Sequence, residues 1–296
     1  MSDRLPILLA HSPDPDDAFM WWPLIGIDGG PPAIDTGRFA FRTVPDDIES
    51  LNRRAEQAEF DVTAISCAQY ARVARDYALT ACGASVGDGY GPKLVARGPM
   101  ATEEIAARGL RVAVPGERTT AFLVASLMIG PGRFAPVPMP FDEILEAVAD
   151  GRCDAGVVIH EGQLTFETHG LHLVADLGAW WTARTGLPLP LGANAIRRDL
   201  DDRFGAGTLE EVTTILARSV EHALDHRDAS VAYAMGFARG LTTELADRFV
   251  SMYVNHWTLD YGPRGRAAVR RLLEEAADAG LGPRLDEVAF VAADAS

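Results

Sequence analysis

The run Gly156-Val-Val-Ile159 constrains this chain more than any other stretch. Three β-branched residues in succession, with no alternating polar position, suit a strand buried on both faces. Such a strand needs helices on each side of its sheet, which argues for an α/β fold. Polar residues begin at once after it, with His160 and Glu161. Ligands of open α/β sheets sit beyond the carboxyl ends of the strands, so His160 is delivered to where chemistry is done. An ordinary imidazole titrates at about 6.5 and serves as a base at neutral pH without a large shift. On position alone, a histidine that merely ends a strand and bonds to backbone fits equally well.

The same strand–polar–helix theme recurs along the chain. Strands are predicted at Ile7–Ala10, Phe39–Val44, Phe60–Ser66, Leu94–Arg97 and from Leu110. Helices are predicted after Ser12–Asp17, over Asp46–Glu56, from Ser66 through Tyr77, and over Thr102–Arg108, Thr119–Ile129 and Phe141–Asp150. This alternation predicts mostly parallel sheets flanked by helices. Helices over Leu209–His226, Ala229–Arg239, Thr242–Tyr253 and Gly265–Ala279 complete the chain. Residues 83–91 hold four glycines and read as a loop, and the Pro- and Gly-rich Thr185–Gly192 reads as irregular. The chain is expected to cross between two lobes near residues 92 and 190. Residues 1–92 and 191–296 would form a larger discontinuous α/β lobe, residues 93–190 a smaller inserted one, with a ligand cleft between them.

A chain of 296 residues has room for that arrangement. A net charge of −15 makes nucleic acid and anionic membranes poor partners. It also means that an anionic ligand needs local help from backbone amides. Cys67, Cys82 and Cys153 have no zinc or disulfide spacing and read as buried thiols of a reducing compartment. No secretory signal or membrane-length apolar run is visible, so a cytoplasmic location is expected. A homodimer is left open.

Three predicted helix starts after strands carry small hydroxyl or acidic residues: Ser12 to Asp17, Ser66, and Thr119-Thr120. Each would place hydroxyls beside N–H groups that lack intrahelical partners, a setting that binds carboxylate or phosphate. One such residue is usually only an N-cap; three, distributed over both lobes, suggest a cleft that clamps a small anion opposite His160. The acidic run 14–17 lacks the ligand spacing of a calcium loop, and capping accounts for it without a metal. His222 and His226 share a helical face without the glutamate of a zinc motif. There is no P-loop, no G-x-G-x-x-G and no G-x-S-x-G, so neither nucleotide cofactor nor serine nucleophile is expected. Trp180 and Trp181 could wall an aromatic pocket, though core packing is the default.

Several segments together resemble the 1,4-dihydroxy-6-naphthoate synthases of menaquinone biosynthesis. They are Ser12-Pro-x-Pro-x-Asp17-x-Phe19, Ala113-Val-Pro-Gly-x-x-Thr119-Thr120-Ala, Val158-Ile-His160-Glu161, and Asp176-Leu-Gly-Ala-Trp-Trp-x-x-Arg184-Thr-Gly-Leu-Pro-Leu-Pro-Leu-Gly192. The last is long and specific, and the resemblance spans nearly the whole chain. It implies a two-lobed periplasmic-binding-protein type 2 fold that closes on its ligand. It further implies a metal-free, cofactor-free lyase converting cyclic dehypoxanthinylfutalosine to 1,4-dihydroxy-6-naphthoate. His160 falls on the family's proposed base, and Ser66, Thr119 and Thr120 on positions that hold a carboxylate-bearing ligand. Ser12, Asp16, Asp17, Glu161 and Arg184 lie in the matching motifs and are the further candidate substrate contacts. The chain departs from the family where Asp14, Asp16 and Ala18 replace the common Cys, Asn and Thr, and where Ala64 replaces a Lys. A non-catalytic solute-binding protein and a chorismate dehydratase are the alternatives on the same fold.

Overall fold

The computed structural model describes residues 4–238 and 242–293. Its strands are, in chain order, β1 (Leu5–His11), β2 (Phe39–Pro45), β3 (Val62–Ser66), β4 (Tyr77–Thr80), β5 (Ser85–Gly87), β6 (Lys93–Ala96), β7 (Arg111–Val114), β8 (Ala135–Pro138), β9 (Ala155–Val158), β10 (His172–Asp176), β11 (Leu189–Arg197) and β12 (Phe290–Val291). They form two sheets. One has the order β12-β4-β11-β3-β1-β2, with β5 also paired to β11; the other has the order β10-β6-β9-β7-β8. Sheet membership therefore changes between β5 and β6 and returns between β10 and β11. "Lobe" below means the body built on one sheet.

Helices flank both sheets, and the fold is the expected two-lobed α/β one. Each sheet is mixed, however. β1–β2, β1–β3, β7–β8 and β7–β9 are parallel, whereas β11 runs antiparallel to β3, β4 and β5, and β6 runs antiparallel to β9 and β10. The first strand after each crossing between sheets, β6 and then β11, is the one that runs against its neighbours.

The buried runs behave as the pattern predicts. Every residue of β3 and β9 is buried. Helix Pro15–Ile25 starts with proline in its first turn and buries ten of its residues, Pro15 to Leu24. It packs against helices Thr208–Asp225, Arg227–Ala234 and Thr243–Tyr253, so no face of it is left for solvent. Trp21, Trp181, Tyr70, Tyr77 and Tyr261 are the largest fully buried side chains of the two lobes.

Four local readings differ. The helix after Ser66 is a short turn, Cys67–Gln69, followed by Tyr70–Val73, and Tyr77 opens β4. Ser85–Gly87 inside the glycine-rich loop pairs with β11. The Pro- and Gly-rich Thr185–Gly192 is partly regular: β11 begins at Leu189 and accommodates Pro190 through a shift of register between Pro190 and Gly192. The predicted helix to Arg239 runs as Arg227–Ala234 plus a turn Met235–Phe237, and Arg239 lies outside the described residues.

Candidate active site

The two lobes face each other across a cleft enclosing about 720 Å³ of empty space, its open mouth included. That is room for a ligand of drug-like size. Its walls come from strand ends. β1 runs out into Ser12–Asp17, β3 ends at Ser66, β7 leads to Thr119 and Thr120, β9 leads to His160, and β11 passes by with Leu191–Asn194. Carboxyl ends of parallel strands thus supply the side chains, as the sheet rule requires.

His160 follows β9 with φ = 51°, a left-handed conformation that is uncommon for a residue with a side chain. This turn sends the ring back over the cleft. Phe141 packs edge-on against it with centroids 4.5 Å apart, and Phe249 lies on another side at 6.4 Å. Nδ1 is 3.3 Å from Asp14 Oδ2, across the cleft.

The opposite wall is acidic. Asp14, Asp16 and Asp17 are all buried. The Ser12 hydroxyl donates to Asp14 Oδ2, the Ser12 N–H donates to Asp17 Oδ2 at 2.6 Å, and the Ser85 hydroxyl donates to Asp16 Oδ2 at 3.3 Å. Burial first and the Asp14 charge second push the Asp16 carboxyl up to about 6, although His160 pulls it down. Burial and the Asp16 charge push Asp17 well above the usual carboxylate range. Asp14, Asp16 and His160 bring donor atoms within 4.8 Å of one another. That spacing suits a cation as well as a retained proton, and the raised Asp16 value is the protonic answer to the crowding.

Ser66, Thr119 and Thr120 line the same cleft. Ser66 accepts from Asn52 Nδ2 at 3.0 Å, and its own N–H donates to Asn52 Oδ1 at 2.8 Å. Thr119 caps helix Thr120–Ile129, accepting from the Phe122 N–H at 3.1 Å while its hydroxyl donates to Gly116 O at 2.8 Å. Thr120 donates to Leu191 O at 2.8 Å and accepts from the Ala68 N–H at 3.1 Å. A carboxylate only accepts hydrogen bonds. Of the hydroxyls of Ser12, Ser66, Thr119 and Thr120, three already donate within the protein; among the described residues Ser66 keeps its proton for a ligand. What Thr119 and Thr120 can offer an anion is therefore the amide-bearing start of their helix rather than their hydroxyls.

Two expected contacts lie elsewhere. Arg184 does not line the cleft: its guanidinium is 3.0 Å from Glu275 and stacks over Trp180. Glu161 sits just past His160, at the N-terminal end of the short helix Gly162–Thr165, and is also outside the cleft lining. Trp181 is fully buried and donates to Pro188 O at 3.1 Å, so neither tryptophan walls the cleft. Conversely, the sequence reading missed Asn52, which holds Ser66, and Tyr253, whose hydroxyl donates to Gln163 Oε1 at 2.8 Å in the cleft wall. It also missed Asp14 as a neighbour of His160. An asparagine inside a helical run and an aspartate before a proline carry no signal of their own.

A sequence profile described as menaquinone biosynthesis matches residues 7–278. The chain belongs to that family. It is 41% identical over 274 residues to a 1,4-dihydroxy-6-naphthoate synthase of Thermus thermophilus, covering 92% of this chain and 94% of that one. It is 42% identical over 289 residues to the Streptomyces coelicolor protein of the same name, covering 95% and 97%. Protein AF1704 of Archaeoglobus fulgidus superposes with a TM-score of 0.83 at 43% identity, over 93% of this chain and 98% of that one. An alkanesulfonate-binding protein of Xanthomonas axonopodis shares the fold at 12% identity, with a TM-score of 0.69 over 99% and 100% of the two chains. Family membership makes this chain an enzyme of menaquinone biosynthesis. Among the described residues no helix is long and apolar enough to cross a membrane.

Proposed function

We propose that this enzyme is a lyase that converts cyclic dehypoxanthinylfutalosine to 1,4-dihydroxy-6-naphthoate, with His160 as general base. The observation that carries the reading is the placement of His160 and Ser66 in one cleft, the imidazole on one lobe and the free hydroxyl on the other. Ser66 and the start of helix Thr120–Ile129 hold the substrate carboxylate, and they lie apart from the acidic wall that would repel it. This anchoring aims the rest of the molecule at His160. The imidazole takes a proton from carbon, the released electron pair forms a double bond, and the departing fragment leaves with the pair of the bond that breaks. Neither an oxidant nor a water molecule is consumed. Phe141 and Phe249 keep bulk water off the ring.

Incubating the purified protein with the cyclic substrate and following the naphthoate by mass spectrometry tests this reading. Wild type yields product, and His160→Ala loses roughly 10²–10⁴-fold in kcat, the usual contribution of a general base. Tight binding without turnover by wild type would instead assign the fold's binding role, and full activity of His160→Ala would remove the base.

A further inference from the structure

Asp14 occupies the N-cap of helix Pro15–Ile25, with extended backbone angles of φ −120° and ψ 156°. An aspartate there ordinarily turns its carboxylate onto the amides of the first helical turn. Asp14 does not: its side chain makes no capping hydrogen bond. The carboxylate points across the cleft instead, with Oδ2 3.3 Å from His160 Nδ1 and the Ser12 hydroxyl bound to that same oxygen. The side chain is 1% exposed. On the other lobe, His160 adopts a positive φ that brings its ring to meet this oxygen. Two departures from ordinary local geometry, one on each lobe, thus converge on a single contact.

We propose that Asp14 is the positioning carboxylate of His160, supplied from the opposite lobe so that the base is aligned only when the cleft is closed. The inference rests on reading His160 as the base. A carboxylate facing Nδ1 favours the tautomer that carries its proton there, which leaves the Nε2 lone pair for the substrate. It also stabilises the imidazolium that forms once the proton is taken. Ser12 fixes the carboxylate in turn, so the order of support is hydroxyl, carboxylate, imidazole. The 3.3 Å separation is long for a hydrogen bond, as is common in sites awaiting substrate. Because the two residues stand on different lobes, an open protein would hold a histidine of undirected tautomer, and proton abstraction would wait for closure around the right ligand.

Asp14→Asn tests the proposal, with Asp14→Glu beside it and His160→Gln to assign the ring signals. The assay is steady-state turnover of the cyclic substrate combined with ¹⁵N NMR of the histidine rings of the full-length protein. The expected result is a fall in kcat of about 10²-fold for Asp14→Asn with KM changed less than about threefold, and partial recovery in Asp14→Glu. The ¹⁵N spectrum of the wild type should show His160 protonated at Nδ1, and that preference should be lost in Asp14→Asn. A variant that keeps wild-type kcat and an unchanged His160 tautomer overturns the proposal. So does a raised KM at unchanged kcat, which would make Asp14 a substrate contact. If Asp14→Asn fails to fold, Ser12→Ala loosens the same carboxylate and is read in the same two ways. The NMR arm needs no turnover, so loss of the Asp14 contact is distinguishable from failure of the base assignment, which His160→Ala decides.

Discussion

His160 was legible as a strand-end residue because an apolar run that stops at a histidine is a pattern in one dimension. Its left-handed backbone and its partner were not, since Asp14 is 146 positions away and reads locally as an ordinary cap. Ser66 shows the same division: its place after a strand was visible, its support by Asn52 was not. The acidic wall makes a residue-level prediction. The folded carboxyl of Asp16 is pushed up to about 6, above the ordinary aspartate value, so the folded state holds a proton that the unfolded chain releases earlier. Its favourable contribution is complete below about pH 4 and is lost as pH rises to about 6. Asp16→Asn, which retains the shape but cannot ionise, should therefore raise the melting temperature at pH 7 by roughly a few degrees. The difference should vanish near pH 4. Melting curves across this range check it, and equal melting temperatures at both ends would mean that Asp16 is not held protonated by burial.

At the level of elements, the long motif Asp176–Gly192 marked the family from sequence, yet most of its residues build the crossing between lobes rather than touch a ligand. Asp176 caps helix Leu177–Thr185 by accepting from the amides of Gly178 and Ala179, and pairs with Lys93 at 2.6 Å. A β-carbon on Gly178 would stand 1.9 Å from Tyr90 O, so only glycine lets these two backbone segments pass. Trp181 fills the space beneath, and Arg184 lies against Trp180 outside the cleft. The motif's specificity in sequence therefore reflects steric demand, and its Arg184 drew a binding role that the fold does not give it. Gly178→Ala should destabilise the protein by about 1–3 kcal/mol through forced backbone displacement. Urea unfolding measures this, and a loss below about 0.5 kcal/mol would show that the two segments can separate freely. The turn Cys67–Gln69 and strand β12 escaped the sequence reading for a simpler reason. Both are only two or three residues long, too short for any periodicity to register.

Across the whole molecule, several groups reach from one lobe to the other. Besides His160 and Asp14, the segment before helix Thr120–Ile129 meets helix Ile48–Ala55 of the other lobe. Arg118 Nε is 2.6 Å from Glu56 Oε1, and the Arg118 N–H donates to Glu49 Oε2 at 3.0 Å. A β-carbon at Gly116 would come within 2.4 Å of the Glu49 side chain, so the two surfaces fit closely here. The Arg118 guanidinium is partly exposed and spans the two lobes, where an ion pair is worth about 0.5–1 kcal/mol at most. That is small against folding but comparable with the difference between open and closed states of a hinged protein. Arg118→Ala should therefore leave the melting temperature nearly unchanged, raise KM by about two- to fivefold and leave kcat within about twofold, because the chemistry still occurs in the closed form. Small-angle scattering of the ligand-free variant should show a larger radius of gyration than wild type. Glu56→Ala should do so more weakly, because Arg118 keeps Glu49 Oε1 at 3.6 Å, and the double variant should match Arg118→Ala in KM, since Arg118→Ala already removes the pair with Glu56. Additive effects of the two substitutions would show that Arg118 and Glu56 act separately, and the clasp would then lie in the contacts of Arg118 to Glu49.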